Sequence, residues 1–129
     1  MEFASLKDWL ERLKAFSEKE KTVVLVEGKK DKQKLEKFGI SHIYSIKGKK
    51  FYDILEELEN EDLVIILTDL DKQGEKISSK ISSMFQREGI PVDLEFREYL
   101  KNFDIKHIED IPVNLEEKID AGKKNYTLP

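Results

Sequence analysis

The sequence predicts an α/β protein: a doubly wound, mainly parallel sheet of four strands, preceded by an N-terminal helix. Three observations lead there. Runs of β-branched and apolar residues alternate with segments of helical periodicity. One run, Leu63 to Thr68, is almost wholly apolar, as expected of a central strand covered on both faces. The spacing of the runs fits βαβ units with right-handed crossovers.

In chain order, Phe3, Leu6, Trp9, Leu10, Leu13 and Phe16 recur at helical spacing, so residues 3–19 read as an amphipathic helix with Trp9 in the core. Thr22 to Val26 reads as the first strand, ending at Glu27-Gly28. Lys30 to Phe38 is a short helix closed by Gly39. His42 to Ile46 forms the second strand, followed by the loop Lys47-Gly48-Lys49-Lys50, with His42 at the edge away from the carboxylates. Phe51, Ile54, Leu55 and Leu58 mark a helix ending near Asn60, and Leu63 to Thr68 is the third strand. A polar turn, Asp69 to Gly74, leads into a helix with Ile77, Ile81, Met84 and Phe85 on one face. Gly89-Ile90-Pro91 breaks it, and Val92 to Phe96 reads as the fourth strand. Beyond it, a short helix around Asn114 to Ala121 precedes a basic end at Lys123-Lys124.

With 129 residues the chain is expected to fold as one domain, with a core over about 22–97 and an extension over about 102–129. The absence of cysteine excludes disulfides, thiolate zinc sites and cysteine nucleophiles. No apolar run reaches membrane-spanning length, and no signal-peptide pattern opens the sequence, so a cytoplasmic location without membrane contact is expected. A net charge of −4 argues against attachment to nucleic acid by bulk positive field. The distribution matters more: between Glu27 and Lys50, eight lysines face three acids, an excess of +5 that leaves −9 for the rest. That asymmetry would set a basic rim on an acidic body.

In a doubly wound sheet the functional crevice lies at the carboxyl ends of the strands. Glu27 closes the first strand, and Asp69 and Asp71 follow the third. A strand order 2-1-3-4 would place all three carboxylates in one pocket. Asp69 and Asp71, two residues apart in extended backbone, would project to the same side. Gly28 and Gly74 would let the backbone turn tightly and approach a ligand. Three neighbouring anions repel one another, and a hard divalent cation removes that repulsion. Asp69 and Asp71 are therefore candidate ligands for Mg²⁺, or Mn²⁺. Glu27 either completes the coordination or serves as general acid or base. The plainer reading makes Asp71 a helix cap, Glu27 the partner of a lysine, and the lysines solvated surface.

The combination of these motifs resembles the Toprim family of topoisomerases, bacterial primases, OLD-type nucleases and small 5S ribosomal RNA maturation nucleases. Val23 to Asp31 (VVLVEGKKD) is similar to the family's glutamate-glycine motif, and Ile65 to Lys76 (IILTDLDKQGEK) to its DxD motif. Ile46 to Lys50 is similar to a glycine loop after the second strand. The resemblance covers about residues 22–97. It implies Glu27 as the acid/base or metal glutamate, Asp69 and Asp71 as Mg²⁺ ligands, and Gly74 and Glu75 as members of the extended third-strand motif. Leu70 departs from it, where relatives often carry proline.

The expected function is a metal-dependent phosphodiester hydrolase on structured RNA or DNA. Lys29, Lys30, Lys47, Lys49 and Lys50 would contact flanking phosphates, which positions a substrate without reading its sequence. A chain this size lacks room for a topoisomerase's tyrosine domain or a primase's additional domains, so the small RNA maturation nucleases are the nearest type. The alternatives are a non-catalytic module that holds nucleic acid for a protein partner, and, from another class, a phosphoryl-transfer or receiver-like protein. His107 lies in a stretch, Lys106 to Asp110, that the pattern does not place, and Glu109 or Asp110 there could add a carboxylate.

Overall fold

A computed structural model of the chain describes residues 1–113. The elements follow in the order α1 (Leu6–Ser17), β1 (Thr22–Val26), α2 (Lys29–Lys37), β2 (Ile43–Ser45), α3 (Phe51–Leu58), β3 (Leu63–Ile66), α4 (Lys72–Arg87), β4 (Val92–Asp93) and α5 (Glu95–Tyr99). Two single-turn 3-10 helices follow, Leu100–Phe103 and Ile108–Asp110. The expected helix around 114–121 and the basic end at Lys123-Lys124 lie outside the described residues.

The four strands form one sheet in the order β2-β1-β3-β4, every pairing parallel. Val24 sits opposite Ile43 on one side and Ile65 on the other, so β1 and β3 are the central pair. Strand side chains alternate between faces. Val23, Leu25, Val64 and Ile66 pack with Ile54, Leu58, Ile81 and Phe85 of α3 and α4. Val24, Val26, Ile65 and Leu67 pack on the opposite side with α1, Leu35 of α2 and Phe96 of α5. Both faces are covered, which is why the central runs are apolar without alternation.

Helix α1 starts where Ser5 accepts the Asp8 N–H at 3.1 Å through Oγ. It buries Leu6, Trp9, Leu10 and Leu13. Trp9 is fully buried and donates its indole N–H to the Phe96 carbonyl at 2.9 Å. The rings of Phe3, Trp9 and Phe16 all lie within 6 Å, centroid to centroid, of Phe96. The N-terminal helix is thereby fastened to the segment after β4.

The fourth strand is shorter than its sequence pattern. Val92 to Phe96 was expected, but β4 is Val92–Asp93 and the chain turns at Leu94 into α5. The Asp93 carboxylate accepts the Phe96 N–H at 3.2 Å, which favours the turn. Phe96 has strand propensity, but its burial under α1 decides the backbone. After α5, Phe103, Ile105, Ile108 and Ile111 are buried in the same cluster, so this stretch is part of the core. Among the described residues no helix is long and apolar enough to cross a membrane.

Candidate metal centre and adjoining cleft

The carboxyl ends of β1 and β3 are neighbours, and Glu27, Asp69 and Asp71 meet there. The Glu27 carboxylate accepts the Asp69 peptide N–H at 2.7 Å through Oε2, joining the two motifs directly. Both aspartates lie beyond the regular strand, on the loop from Leu67 into α4. Asp71 is the N-cap of α4, accepting the Gly74 N–H at 2.7 Å through Oδ1. Asp69 accepts the Ile108 N–H at 3.0 Å through Oδ1. Each aspartate thus spends one oxygen on the backbone and keeps the other for a further partner. Capping and metal binding are compatible roles for Asp71.

A second wall comes from the C-terminal part of the described chain. The Leu70 N–H donates to the Lys106 carbonyl at 2.7 Å, and the Ile108 N–H reaches Asp69. These two bonds hold His107 over the loop. Oxygens of Asp69 and Asp71 and a ring nitrogen of His107 all lie within 4.8 Å of one another. Two oxygens and one nitrogen at this spacing fit the donor set of a divalent cation.

Two features fix the loop from behind. A Cβ built on Gly74 would stand 1.8 Å from the Asp69 carbonyl oxygen, so only glycine allows the first turn of α4 to pass this close. At Gly28 the φ of −137° is extended backbone open to any residue, and a Cβ there would meet nothing closer than 3.8 Å. The chain bends from β1 into α2 within Glu27-Gly28, but neither a left-handed backbone nor a close contact there demands glycine. The Arg97 side chain is 1% exposed and holds the loop together. It donates through Nε to the Thr68 carbonyl and hydroxyl, each at 2.9 Å, and through Nη2 to the Asp69 carbonyl at 2.6 Å. Its Nη1 pairs with Glu98 at 2.7 Å and Glu75 at 3.2 Å.

The electrostatics reflect crowded anions. Burial raises the Glu27 carboxyl above its usual range against the Asp69 N–H bond, with the charges of Asp69, Asp71 and Asp31 adding to the rise. Burial likewise raises Asp69, against the opposing Ile108 N–H bond. Asp31, in the first turn of α2 and 7% exposed, is pushed from 3.8 to about 6 by burial and then by the charge on Asp69. These neighbours hold their protons more firmly than isolated carboxyls, and a bound cation would reverse that.

An open cleft of about 1000 Å³ extends from these carboxylates towards the loop after β2. Glu27, Asp31, Asp69 and Glu109 line its acidic side, and Lys29, Lys30, Lys47 and Lys49 line it together with Gly48. Gly48 has φ +77°, the left-handed conformation that suits glycine in this turn. Lys50 is the N-cap residue of α3 and is not among the lining residues. Lys49 already pairs with Glu57 at 3.2 Å and lies 4.2 Å from the Tyr44 ring centroid.

The family model of the Toprim domain matches residues 22–111. The chain belongs to the Toprim domain family. That match includes the stretch carrying His107. The chain is 34% identical over 112 residues to a UPF0292 protein of Methanocaldococcus jannaschii, covering 84% of this chain and 86% of that one. It is 35% identical over 92 residues to a UPF0292 protein of Pyrococcus horikoshii, covering 68% and 70%. A solved structure of a protein from Aquifex aeolicus superposes with a TM-score of 0.77 at 41% identity, covering 82% of this chain and 97% of that one. Toprim domains bind divalent metals, and membership implies a metal-dependent function connected with nucleic acid.

Within this Toprim domain the structure brings together Glu27, Asp69 and Asp71, with Gly74 behind them. Glu75 points to Arg97 instead, 3.2 Å from its guanidinium. Sequence reasoning missed Arg97, Asp31 and the placement of His107. Arg97 carried one usable signal, an arginine between Phe96 and Tyr99 in a stretch with core aromatics. Asp31 sits among lysines and reads as a helix-start acid. His42, by contrast, accords with its structural reading: its Nδ1 lies 2.8 Å from the Ser17 carbonyl, before β2 begins.

Proposed function

We propose that this Toprim domain is a Mg²⁺-dependent phosphodiester hydrolase acting on structured RNA or DNA. The observation that carries the reading is the junction of the two acidic motifs, with Glu27 bonded to the Asp69 N–H beside Asp71. Asp69 and Asp71 would hold the cation through the oxygens not engaged with Ile108 and Gly74. A cation held there would supply charge stabilisation at a phosphoryl oxygen.

Glu27 adjoins this position and is the group suited to moving a proton, since burial keeps its carboxyl above the usual range. Lys29, Lys30 and Lys47 line the adjoining cleft, where a phosphate backbone would pass. The bonds of Arg97 to Thr68 and Asp69 keep the loop from shifting as charge develops. A cytoplasmic location accords with the cysteine-free composition.

The test is incubation of purified protein with structured RNA and with supercoiled DNA, with Mg²⁺ or Mn²⁺, beside Glu27→Gln and Asp69→Asn. Cleavage that requires metal and is lost in both variants is the expected outcome, and the polymer cut names the substrate. Binding without turnover under either metal would replace the hydrolase by a module that holds nucleic acid for a partner. Cleavage surviving both substitutions would place the active site elsewhere.

A further inference from the structure

We propose that His107 is a nitrogen ligand of the cation held by Asp69 and Asp71, and that it makes the site prefer a first-row transition ion such as Mn²⁺ over Mg²⁺. This rests on the reading of Asp69 and Asp71 as a metal site and adds a ligand and a metal preference to it.

The argument starts from how His107 is held. The residues on either side of it, Lys106 and Ile108, bond through their backbones to Leu70 and Asp69. Ile108 is 1% exposed and anchored in the core. The imidazole is therefore delivered to the DxD loop by backbone and core packing, and no cation is needed to draw it there. Its Nε2 stands 3.4 Å from Asp71 Oδ2. That is longer than a good hydrogen bond, which spans roughly 2.7–3.2 Å. Two donors around one octahedral ion, each about 2.1 Å from it, stand about 3 Å apart when adjacent. The imidazole and carboxylate are thus placed as two ligands of a common ion would be, with small adjustment.

The other ring nitrogen has its own carboxylate. Nδ1 lies 3.4 Å from Asp110 Oδ2, ion-pair range and a few tenths of an ångström longer than a formed hydrogen bond, so the ring would close on Asp110 as the ion draws it in. A metal-bound histidine commonly gives its second ring N–H to a carboxylate, which fixes the tautomer and ring orientation. Asp110 is a positioning residue in this arrangement, acting through His107.

The metal preference follows from donor chemistry. Mg²⁺ is hard, prefers oxygen and gives up water reluctantly. Imidazole nitrogen favours first-row transition ions. Two carboxylates alone would serve Mg²⁺ well; adding His107 tilts the site towards Mn²⁺.

The experiment measures Mn²⁺ and Mg²⁺ affinity by calorimetry for the wild type, His107→Ala, Asp110→Asn and Asp69→Asn, with pulsed electron paramagnetic resonance of bound Mn²⁺ for nitrogen coupling. Far-ultraviolet circular dichroism checks that each variant is folded, and truncation of the part-exposed His107 leaves the core untouched. The wild type is expected to bind Mn²⁺ at least about tenfold more tightly than Mg²⁺, with a histidine nitrogen coupling. His107→Ala should lose the coupling and about tenfold or more in Mn²⁺ affinity, while Mg²⁺ affinity barely changes. Asp110→Asn should retain the coupling with a smaller loss of affinity. Wild-type Mn²⁺ without nitrogen coupling, or equal Mn²⁺ affinity in His107→Ala, overturns the inference while leaving the carboxylate site intact. Unchanged Mn²⁺ affinity in Asp69→Asn overturns the metal site itself, and the inference with it.

Discussion

The Glu27 carboxylate accepts the peptide N–H of Asp69 at 2.7 Å across an interval of 42 residues. A single contact thus sets the spacing between the acid of one strand and the acids following its neighbour. Glu27→Gln keeps an acceptor oxygen, so the fold should lose little stability while the proposed metal-dependent cleavage disappears. Glu27→Ala leaves the Asp69 N–H without its partner and should cost about 1–3 kcal/mol in denaturant unfolding. Equal stability in the two variants would mean that the contact does not organise the loop.

Arg97 is the second determinant of loop geometry. Arg97→Met removes the guanidinium donors to Thr68 and to the Asp69 carbonyl and takes the arginine partner from Glu75 and Glu98, leaving Glu98 with Lys101 alone. Because the guanidinium is buried, a loss of about 3 kcal/mol is expected by chemical denaturation. Arg97→Lys keeps the charge but not the planar fork, and should fall between the two. A loss under about 1 kcal/mol for Arg97→Met would show that the loop holds without it.

The acid cluster makes stability depend on pH. Asp31 titrates near 6 in the folded chain against an ordinary 3.8, so the native state retains a proton that the unfolded state has released. Its contribution is fully present below about pH 4 and is lost as pH rises through about 6. Without metal, Asp31→Asn should flatten the stability profile over that window. It should also raise stability at pH 7 by about 1–2 kcal/mol. Thermal melts across pH 4–8 decide this, and a parallel shift of the whole profile would contradict it.

Lysines on the cleft should appear in the salt dependence of nucleic-acid binding. Lys29→Gln and Lys47→Gln should each lower the slope of log K against log salt by roughly 0.9 on duplex DNA, with little change between sequences. Lys50→Gln, away from the lining, should leave the slope unchanged. Lys49→Gln should have a smaller effect, because Lys49 is engaged by Glu57 and Tyr44. Slopes unchanged in all four would remove the cleft from the binding surface.

The sheet was legible because its signal is local: apolar runs such as Leu63 to Ile66 need two covered faces whatever their neighbours are. The meeting of Glu27 with Asp69 was legible because parallel strands put their carboxyl ends at one edge. What escaped depends on contacts distant in sequence. Phe96 could be strand or helix until α1 packs on it, and Trp9 decides that from 87 residues away. His107 lies between the two 3-10 helices in a stretch without periodicity, and only its neighbours' bonds to Leu70 and Asp69 place it. Arg97 has aromatic neighbours that hint at burial, but nothing nearby in sequence announces the Thr68 and Asp69 carbonyls it serves.

The proposed cleavage, the proposed metal preference and the reversal of the acid cluster by a bound cation would all depend on a divalent ion between Asp69 and Asp71. A crystal grown or soaked with excess Mn²⁺ and measured for anomalous scattering tests that directly. The expected result is one strong peak bounded by the free oxygens of Asp69 and Asp71, with His107 at its side. Ordered Asp69 and Asp71 side chains with no peak between them, at saturating Mn²⁺, would contradict it.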